Sequence, residues 1–290
     1  MPKLIIMQGL PASGKSTRAA EIMEDLGNTV RINKDLLRKM LHFDKWTPRN
    51  EKETHKASKT LAGMYLNFGL NVIIDDTNLK PGNVTLWQLL AEERNLPWEI
   101  VNMETPYEDC VDNNIGREGE VPRHVIDQMA FMSGRYPLPE KPFVVCDIDG
   151  TIADLTHRLK YGQPGPDKDW DMFFSLVHKD APRTDIIARI NEDRAAGHQV
   201  IFVSGRPERV RRETIHWMWR NGVVPGGEDP ILFMRRDDDR RPDTQTKADI
   251  YTDYLYGYPI KHIYDDRPSV IGMWRGFGQT VIDVGNGIDF

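Results

Sequence analysis

The stretch Gly9-Leu-Pro-Ala-Ser-Gly14-Lys15-Ser16-Thr17, which follows the apolar run Leu4-Ile5-Ile6-Met7, restricts the fold more than any other feature of the chain. It fits GxxxxGK[ST] at every fixed position, between a segment of strand length and one suited to a helix. Glycines there let the chain wrap a phosphate with its own N–H groups, and the following helix directs its positive end at the same anion. The alternative, a Gly-rich turn without a ligand, leaves the flanking pattern unexplained. Gly9, Ser13, Gly14, Lys15, Ser16 and Thr17 are therefore the expected nucleotide-binding set, with Lys15 at the β/γ-phosphates and Ser16 as a ligand to Mg²⁺.

A strand, a phosphate loop and a helix commit the chain to an α/β fold, and the rest of the sequence extends that pattern. Apolar runs at 3–8, 71–75 and 98–103, with a further strand over 29–32, alternate with helical stretches near 15–26, 52–68, 82–95 and 122–132, as in a parallel sheet with crossover helices. Tyr136-Pro-Leu-Pro-Glu-Lys-Pro142 then places three prolines in seven positions, which denies a continuous helix. At 290 residues the chain suits two domains, and this connector sets them at 1–137 and 143–290. Strands over 143–146, 199–203, 231–234 and 260–264 and helices near 183–197, 207–221, 244–256 and 267–277 make the second domain α/β as well. Residues 154–181 interrupt it as an insertion.

Composition narrows the setting. Hydrophobic content of 39% with 28% charged residues describes a soluble globular protein, and no stretch approaches the roughly 20 apolar residues that cross a bilayer. No export segment is apparent at the N-terminus, so a cytoplasmic location is expected and a membrane partner is not. Cys110 and Cys146 lack metal-site spacing and are expected to be buried small residues. The net charge of −6 argues against a generic nucleic-acid coat, although it leaves room for an enzyme that grips one strand end.

What accepts the phosphoryl group must be read from later strand ends, where α/β ligand sites gather. Asp35, after the second strand, is placed to take the proton of an attacking hydroxyl, and Arg38, one turn on, to hold a phosphate on the acceptor. The plainer alternative is a helix-capping Asp35 and a solvated Arg38. In Asp75-Asp76-Thr77-Asn78 one aspartate aligns Mg²⁺ or a charged partner, or the cluster simply forms a turn. Arg117, in a loop ahead of Val121-Pro122, is a candidate to close over charge developing on the γ-phosphate, with Arg123 less favoured.

The second domain carries its own acids. Phe143-Val-Val-Cys-Asp147-Ile-Asp149-Gly-Thr151 puts two carboxylates two residues apart at a strand end, projecting to one side if the extended backbone persists. Such a pair favours a bound cation, and Asp147 can attack phosphorus as a carboxylate nucleophile. A calcium loop fits poorly, because Ile148 and Thr151 break the alternation of oxygen ligands. Ser204-Gly205-Arg206, Lys247 and Asp265-Asp266 follow at later strand ends or helix starts, supplying phosphate donors and further carboxylates. Arg209, Arg211, Arg212 and Arg220, alongside Trp217 and Trp219, form either a platform for a single strand or a solvated helix with two core tryptophans.

The series DxDGT, SGR, Lys and DD, from 143 to about 284, resembles the motif set of the haloacid dehalogenase phosphatase superfamily. That resemblance implies Asp147 as nucleophile, Asp149 as general acid-base, Ser204 and Lys247 on phosphate, and Asp147, Asp149, Asp265 and Asp266 around Mg²⁺. The whole chain resembles the bacteriophage type of polynucleotide kinase/3′-phosphatase. It shares the domain order, the GxxxxGKST loop, N-x-D-x-x-R at Asn33 to Arg38, a DTN at 76–78 and a closing DDR with Met273-Trp274-Arg275.

This family resemblance implies a P-loop kinase sheet flanked by helices, followed by a Rossmann-like phosphatase. ATP would donate to a 5′-hydroxyl of RNA or DNA, and the second domain would remove 3′-phosphate or open a 2′,3′-cyclic phosphate. Asp35 is then the general base, Arg38 holds the acceptor's 3′-phosphate, and Arg117 with Asp76 completes the kinase site. Arg158, Ser204, Gly205, Arg206, Asp243 and Lys247 belong to the phosphatase's substrate site. Expected partners are strand ends, ATP and, functionally, a nucleic-acid ligase, and self-association is compatible with the sequence. Residues 161–180 depart from the phage pattern. Two rivals stand: a small-metabolite kinase fused to a small-molecule phosphatase, and a noncatalytic nucleotide switch.

Overall fold

Leu4, Ile5, Ile6 and Met7 have no exposed surface, and the strand they form is central to the first sheet. In the computed structural model, which describes residues 1–287 except Trp46, Pro164 and Pro166, the chain divides into two units, Met1–Tyr136 and Pro137–Phe290. The two prolines fall in the expected insertion, and the last three positions of the expected second domain also lie outside the described residues.

The first unit runs β1 (Leu4–Gln8), α1 (Lys15–Leu26), β2 (Thr29–Ile32), α2 (Lys34–His42), α3 (Pro48–Asn67), β3 (Asn71–Ile74), α4 (Pro81–Glu92), β4 (Trp98–Asn102), α5 (Tyr107–Asp112) and α6 (Arg123–Met132). Its four strands pair in parallel in the order β2-β3-β1-β4. Because side chains alternate across a strand, Leu4 and Ile6 pack with Val72, Ile74 and Trp87 on one face, while Ile5 and Met7 meet Ala19, Ile22 and Ile73 on the other. A strand covered on both faces reads as one unbroken apolar run, and each large aliphatic side chain so buried contributes roughly 1.5–3 kcal/mol. The helices α2 and α5 add to the four that periodicity indicates.

The second unit is built on β5 (Phe143–Cys146), whose four residues are fully buried. After it come β6 (Ala153–Asp154), α7 (Leu159–Gly162), α8 (Trp170–Ser175), β7 (Ala181–Pro182), α9 (Thr184–Ala195), β8 (Val200–Pro207), α10 (Arg211–Arg220), β9 (Ile231–Arg235), α11 (Asp243–Ile250), β10 (Ile260–Asp265), α12 (Pro268–Gly276) and β11 (Val281–Asp283). Its five-stranded sheet is parallel in the order β11-β10-β5-β8-β9. The antiparallel pair β6 and β7 pinches the base of the insertion, so α7 and α8 form a small excursion held at its root.

Three details differ from the sequence reading. β11 is an edge strand of three residues, too short for an apolar run to announce it. The helix expected over 244–256 ends at Ile250 and widens into a π turn over Tyr251–Leu255. The basic and aromatic platform on α10 does not form: Trp217 is buried and donates to the Asp180 carbonyl, and Arg211 is buried against Glu208 and the Leu232 carbonyl. Trp219 is only partly covered, so α10 carries one core tryptophan rather than two. Both cysteines are buried, and among the described residues no helix is long and apolar enough to cross a membrane.

Candidate active sites

In the first unit the loop between β1 and α1 turns through Gly14, whose φ of +87° is a left-handed conformation that an L side chain resists. Lys15 opens α1 and folds back on the loop, its Nζ 2.5 Å from the Leu10 carbonyl and 3.2 Å from that of Gly9. Burial lowers its pKa to about 8. Ser16 donates to Asp75 Oδ2 at 2.8 Å, and Arg31 pairs with the same oxygen. The other Asp75 oxygen is buried without a hydrogen-bond partner among the described residues. A hydroxyl beside an unpartnered buried carboxylate oxygen suits a divalent cation. Of the two adjacent aspartates, Asp75 is therefore the one at the loop, a distinction that the sequence left open. Asp76 instead accepts from the Lys34 N–H, and burial raises its pKa.

Asn33 explains the rest of the N-x-D-x-x-R stretch. Its carboxamide oxygen caps α2 by accepting from the Leu36 N–H while its NH₂ donates to the Asp75 carbonyl at 2.6 Å, fastening α2 to the end of β3. Asp35 is consequently not the cap. Its carboxylate is 80% exposed and pairs with Arg38 at 2.8 Å, and Arg38 also grips Glu51. Arg117 lies on the α5–α6 connection with its side chain bonded to Asn114. Arg123 is engaged elsewhere, with Asp127 and the Tyr107 hydroxyl.

The second unit gathers its acids at the ends of β5 and β10. Asp147, Asp265 and Asp266 each offer a carboxylate oxygen within 4.8 Å of the others, all three buried. Lys247, on α11, is buried among them, 2.7 Å from Asp147 and 3.0 Å from Asp265, with Asp243 at 3.7 Å. Burial works against that ammonium, but the carboxylates of Asp147, Asp265 and Asp243 outweigh it and hold Lys247 well above the ordinary lysine range. Burial and neighbouring acids push Asp147 up, and Asp266 is pushed up to about 6 by burial and by Asp265. One lysine does not offset the cluster, and a donor set with this excess of negative charge fits a divalent cation. Gly150, at φ +82°, lies so near Asp266 that a Cβ there would stand 2.0 Å from Oδ2. Gly205 is limited likewise by Asp243, at 2.3 Å.

Asp149 departs from its expected place among the metal ligands. Its Oδ1 lies 2.6 Å from both Arg158 and Arg206, and these guanidinium groups outweigh burial to hold its carboxyl well below the usual range. A carboxylate shared by two cations has no reason to join an acidic cluster. Arg158 and Arg206 are fully buried and both also grip Asp180, at 2.7 and 2.6 Å, and they adjoin the cavity through Asp149. Ser204 is buried with its hydroxyl toward the Arg206 N–H. Asp180 is the functional candidate that sequence reasoning missed; its one signal was position, the last residue before β7 at the insertion's root. Asp147, Asp149, Gly205, Asp243, Lys247 and Asp266 all line one cavity of about 710 Å³, within the roughly 300–1,000 Å³ of small-ligand sites.

Residues 141–290, just over half of the chain, match the family model described as the polynucleotide kinase PNKP phosphatase domain. The chain belongs to that family. Residues 4–133 match an AAA domain model, and domains of these two kinds use a nucleotide and a divalent metal. A putative bifunctional polynucleotide kinase/RNA ligase of Autographa californica nuclear polyhedrosis virus is 25% identical over 297 residues, covering 94% of this chain and 41% of the relative. The chain thus spans about two fifths of that relative's length. Among solved structures, a chain of a Pnkp1/Rnl/Hen1 RNA repair complex is 25% identical with a TM-score of 0.42, covering 100% of this chain and 97% of that one. The class C acid phosphatase of Bacillus anthracis is 15% identical with a TM-score of 0.38, over 56% of this chain and 73% of that one.

Proposed function

We propose that the chain heals nucleic-acid ends, transferring the γ-phosphate of ATP to a 5′-hydroxyl of RNA or DNA in its first unit and removing a 3′-phosphate, or a 2′,3′-cyclic phosphate, in its second. The observation that carries this reading is the presence in one chain of a phosphate-wrapping loop and a phosphatase of the polynucleotide kinase family. Adding and removing phosphate at one position would be futile, whereas a broken strand offers two different ends.

In the first reaction the 5′-oxygen bonds to the γ-phosphorus as the bond to the β,γ-bridging oxygen breaks, and ADP leaves. Asp35 takes the hydroxyl proton and Arg38 holds the acceptor's 3′-phosphate. Gly9, Ser13, Gly14 and Thr17 cradle the triphosphate, and Lys15 meets its β/γ oxygens. Ser16, with Asp75, would hold Mg²⁺, and Asp76 orients the acceptor side through Lys34. Arg117, held by the neutral Asn114 carboxamide, rather than Arg123 with its Asp127 ion pair, moves onto the charge developing at phosphorus.

In the second reaction Asp147 attacks the 3′-phosphate, the P–O3′ bond breaks, and Asp149 gives its proton to the departing 3′-oxygen. Asp149 then takes a proton from the water that hydrolyses the aspartyl-phosphate. An incoming phosphate dianion offsets Arg158 and Arg206 and so favours protonation of Asp149. Lys247 and the Ser204-Gly205 backbone receive the phosphate oxygens, while Asp243 positions Lys247. Asp147, Asp265 and Asp266 would hold Mg²⁺, whose charge neutralises phosphate oxygens and the nucleophile's surroundings. A cytoplasmic setting and a ligase that seals the healed ends complete the reading.

The test is an end-modification assay on 5′-hydroxyl, 3′-phosphate strands of RNA and of DNA, with and without ATP, beside nucleosides and sugar phosphates. Oligonucleotide 5′-labelling that requires ATP, with 3′-phosphate release that does not, is the expected result. Turnover confined to the small molecules would replace this reading with a metabolite kinase-phosphatase.

A further inference from the structure

The insertion supplies one wall of the cavity that holds the nucleophile. Trp170, Phe173 and Phe174 line it together with Asp147 and Asp149. The three rings differ in burial. Phe173 faces the interior, where the Arg158 guanidinium lies 4.2 Å from its ring centre. Trp170 keeps 44% of its surface exposed while packing edge-on to Phe173, with centres 5.3 Å apart, and stacking within 21° of Phe174. Lys168 stands over the Trp170 ring and Arg209 over that of Phe174, at 5.7 and 5.6 Å. The part of the indole that Phe173, Phe174 and Lys168 leave uncovered is at the cavity wall, where a flat apolar partner can stack, and Lys168 beside it suits an anionic strand.

The geometry points to a base-stacking subsite: Trp170 receives the nucleobase of the 3′-terminal nucleotide while that nucleotide's phosphate lies at Asp147. This rests on the end-healing function proposed above and names how the phosphatase recognises its strand. Asp147, Asp149 and Trp170 line the same cavity, so a group held at the acids and a ring stacked on the indole occupy one continuous space. In the substrate one ribose separates the reacting phosphate from its base. The shelf is fixed before any strand arrives. Asp169 caps the turn that carries Trp170, the Asp169 N–H donates to the Tyr161 carbonyl, and Asp171 is paired with Arg209. Pre-organisation of this kind lowers the entropic cost of binding. Every base has a π face, so the subsite distinguishes a base from none rather than one base from another.

The experiment compares 3′-phosphate release from two otherwise identical single strands, one ending in an ordinary nucleotide and one in an abasic residue. The unaltered 290-residue chain is expected to show a KM roughly tenfold lower for the base-bearing strand. Trp170→Ala erases that difference, and Trp170→Phe, which keeps a flat ring, retains part of it. If the unaltered protein treats both strands alike, or if Trp170→Ala still prefers the base, the subsite is wrong although the phosphatase reading stands. Release from neither strand overturns the phosphatase reading itself, and this inference with it.

Discussion

Two buried lysines mark the two sites, and their surroundings are opposite. Lys15 is enclosed by carbonyl oxygens of its own loop, and burial lowers its pKa to about 8. Lys247 stands among Asp147, Asp265 and Asp243, which hold it well above the ordinary range. The first site holds its lysine among neutral carbonyls, with the Asp75 carboxylate near by but making no ion pair with it, and leaves the ammonium to be satisfied by an anion. The second presents more carboxylate than its lysine offsets, a balance that fits a cation.

The strongest way to break this contrast is to remove the proposed attacking group of one site alone. Asp147→Asn is expected to lower 3′-phosphate release by roughly 10⁴-fold or more while 5′-phosphoryl transfer stays within twofold, scored on end-labelled strands. Residual phosphatase turnover near the unaltered rate would exclude the covalent route. Next in size, Lys247→Met leaves buried carboxylates unpaired and should destabilise the second unit by about 3–5 kcal/mol in chelator. Lys15→Met removes a charge that burial disfavours and should leave the first unit's stability unchanged or slightly raised. Denaturant titrations of both variants give the comparison, and equal losses would contradict it. Smallest is the response to Mg²⁺ without nucleotide. At 100 times its dissociation constant the ion should stabilise the second unit by about 2.7 kcal/mol and the first by much less. A calorimetric scan in which both transitions rise together would show that the first site also holds the ion unaided.

Much of this was legible in the sequence because it rests on local physics. Leu4 to Met7 and Phe143 to Cys146 read as strands because both faces of each are covered, and the glycines of the phosphate loop occur where only a tight turn explains them. The choice between Asp75 and Asp76 was not legible. β3 ends at Ile74, and beyond it the alternation that assigns side chains to faces no longer holds. Asp180 was invisible for another reason. Its partners Arg158 and Arg206 lie 22 and 26 residues away, and only the pinched root of the insertion brings them together. The same contacts explain why Asp149, two residues from Asp147, faces guanidinium groups rather than the acid cluster.

The close approach of Gly150 to Asp266 has a consequence for how such a protein can diversify. With 2.0 Å between an added methyl and a carboxylate oxygen, and a positive φ besides, position 150, in the floor of the second site, accepts no side chain without displacing Asp266. The excursion carrying α7 and α8 is tied in by Arg158 and Phe173 on its inner side, whereas Trp170 and Asp171 are exposed and can change without disturbing that floor. The acidic floor is thus sterically closed to change, while the exposed part of the cavity wall is open to it.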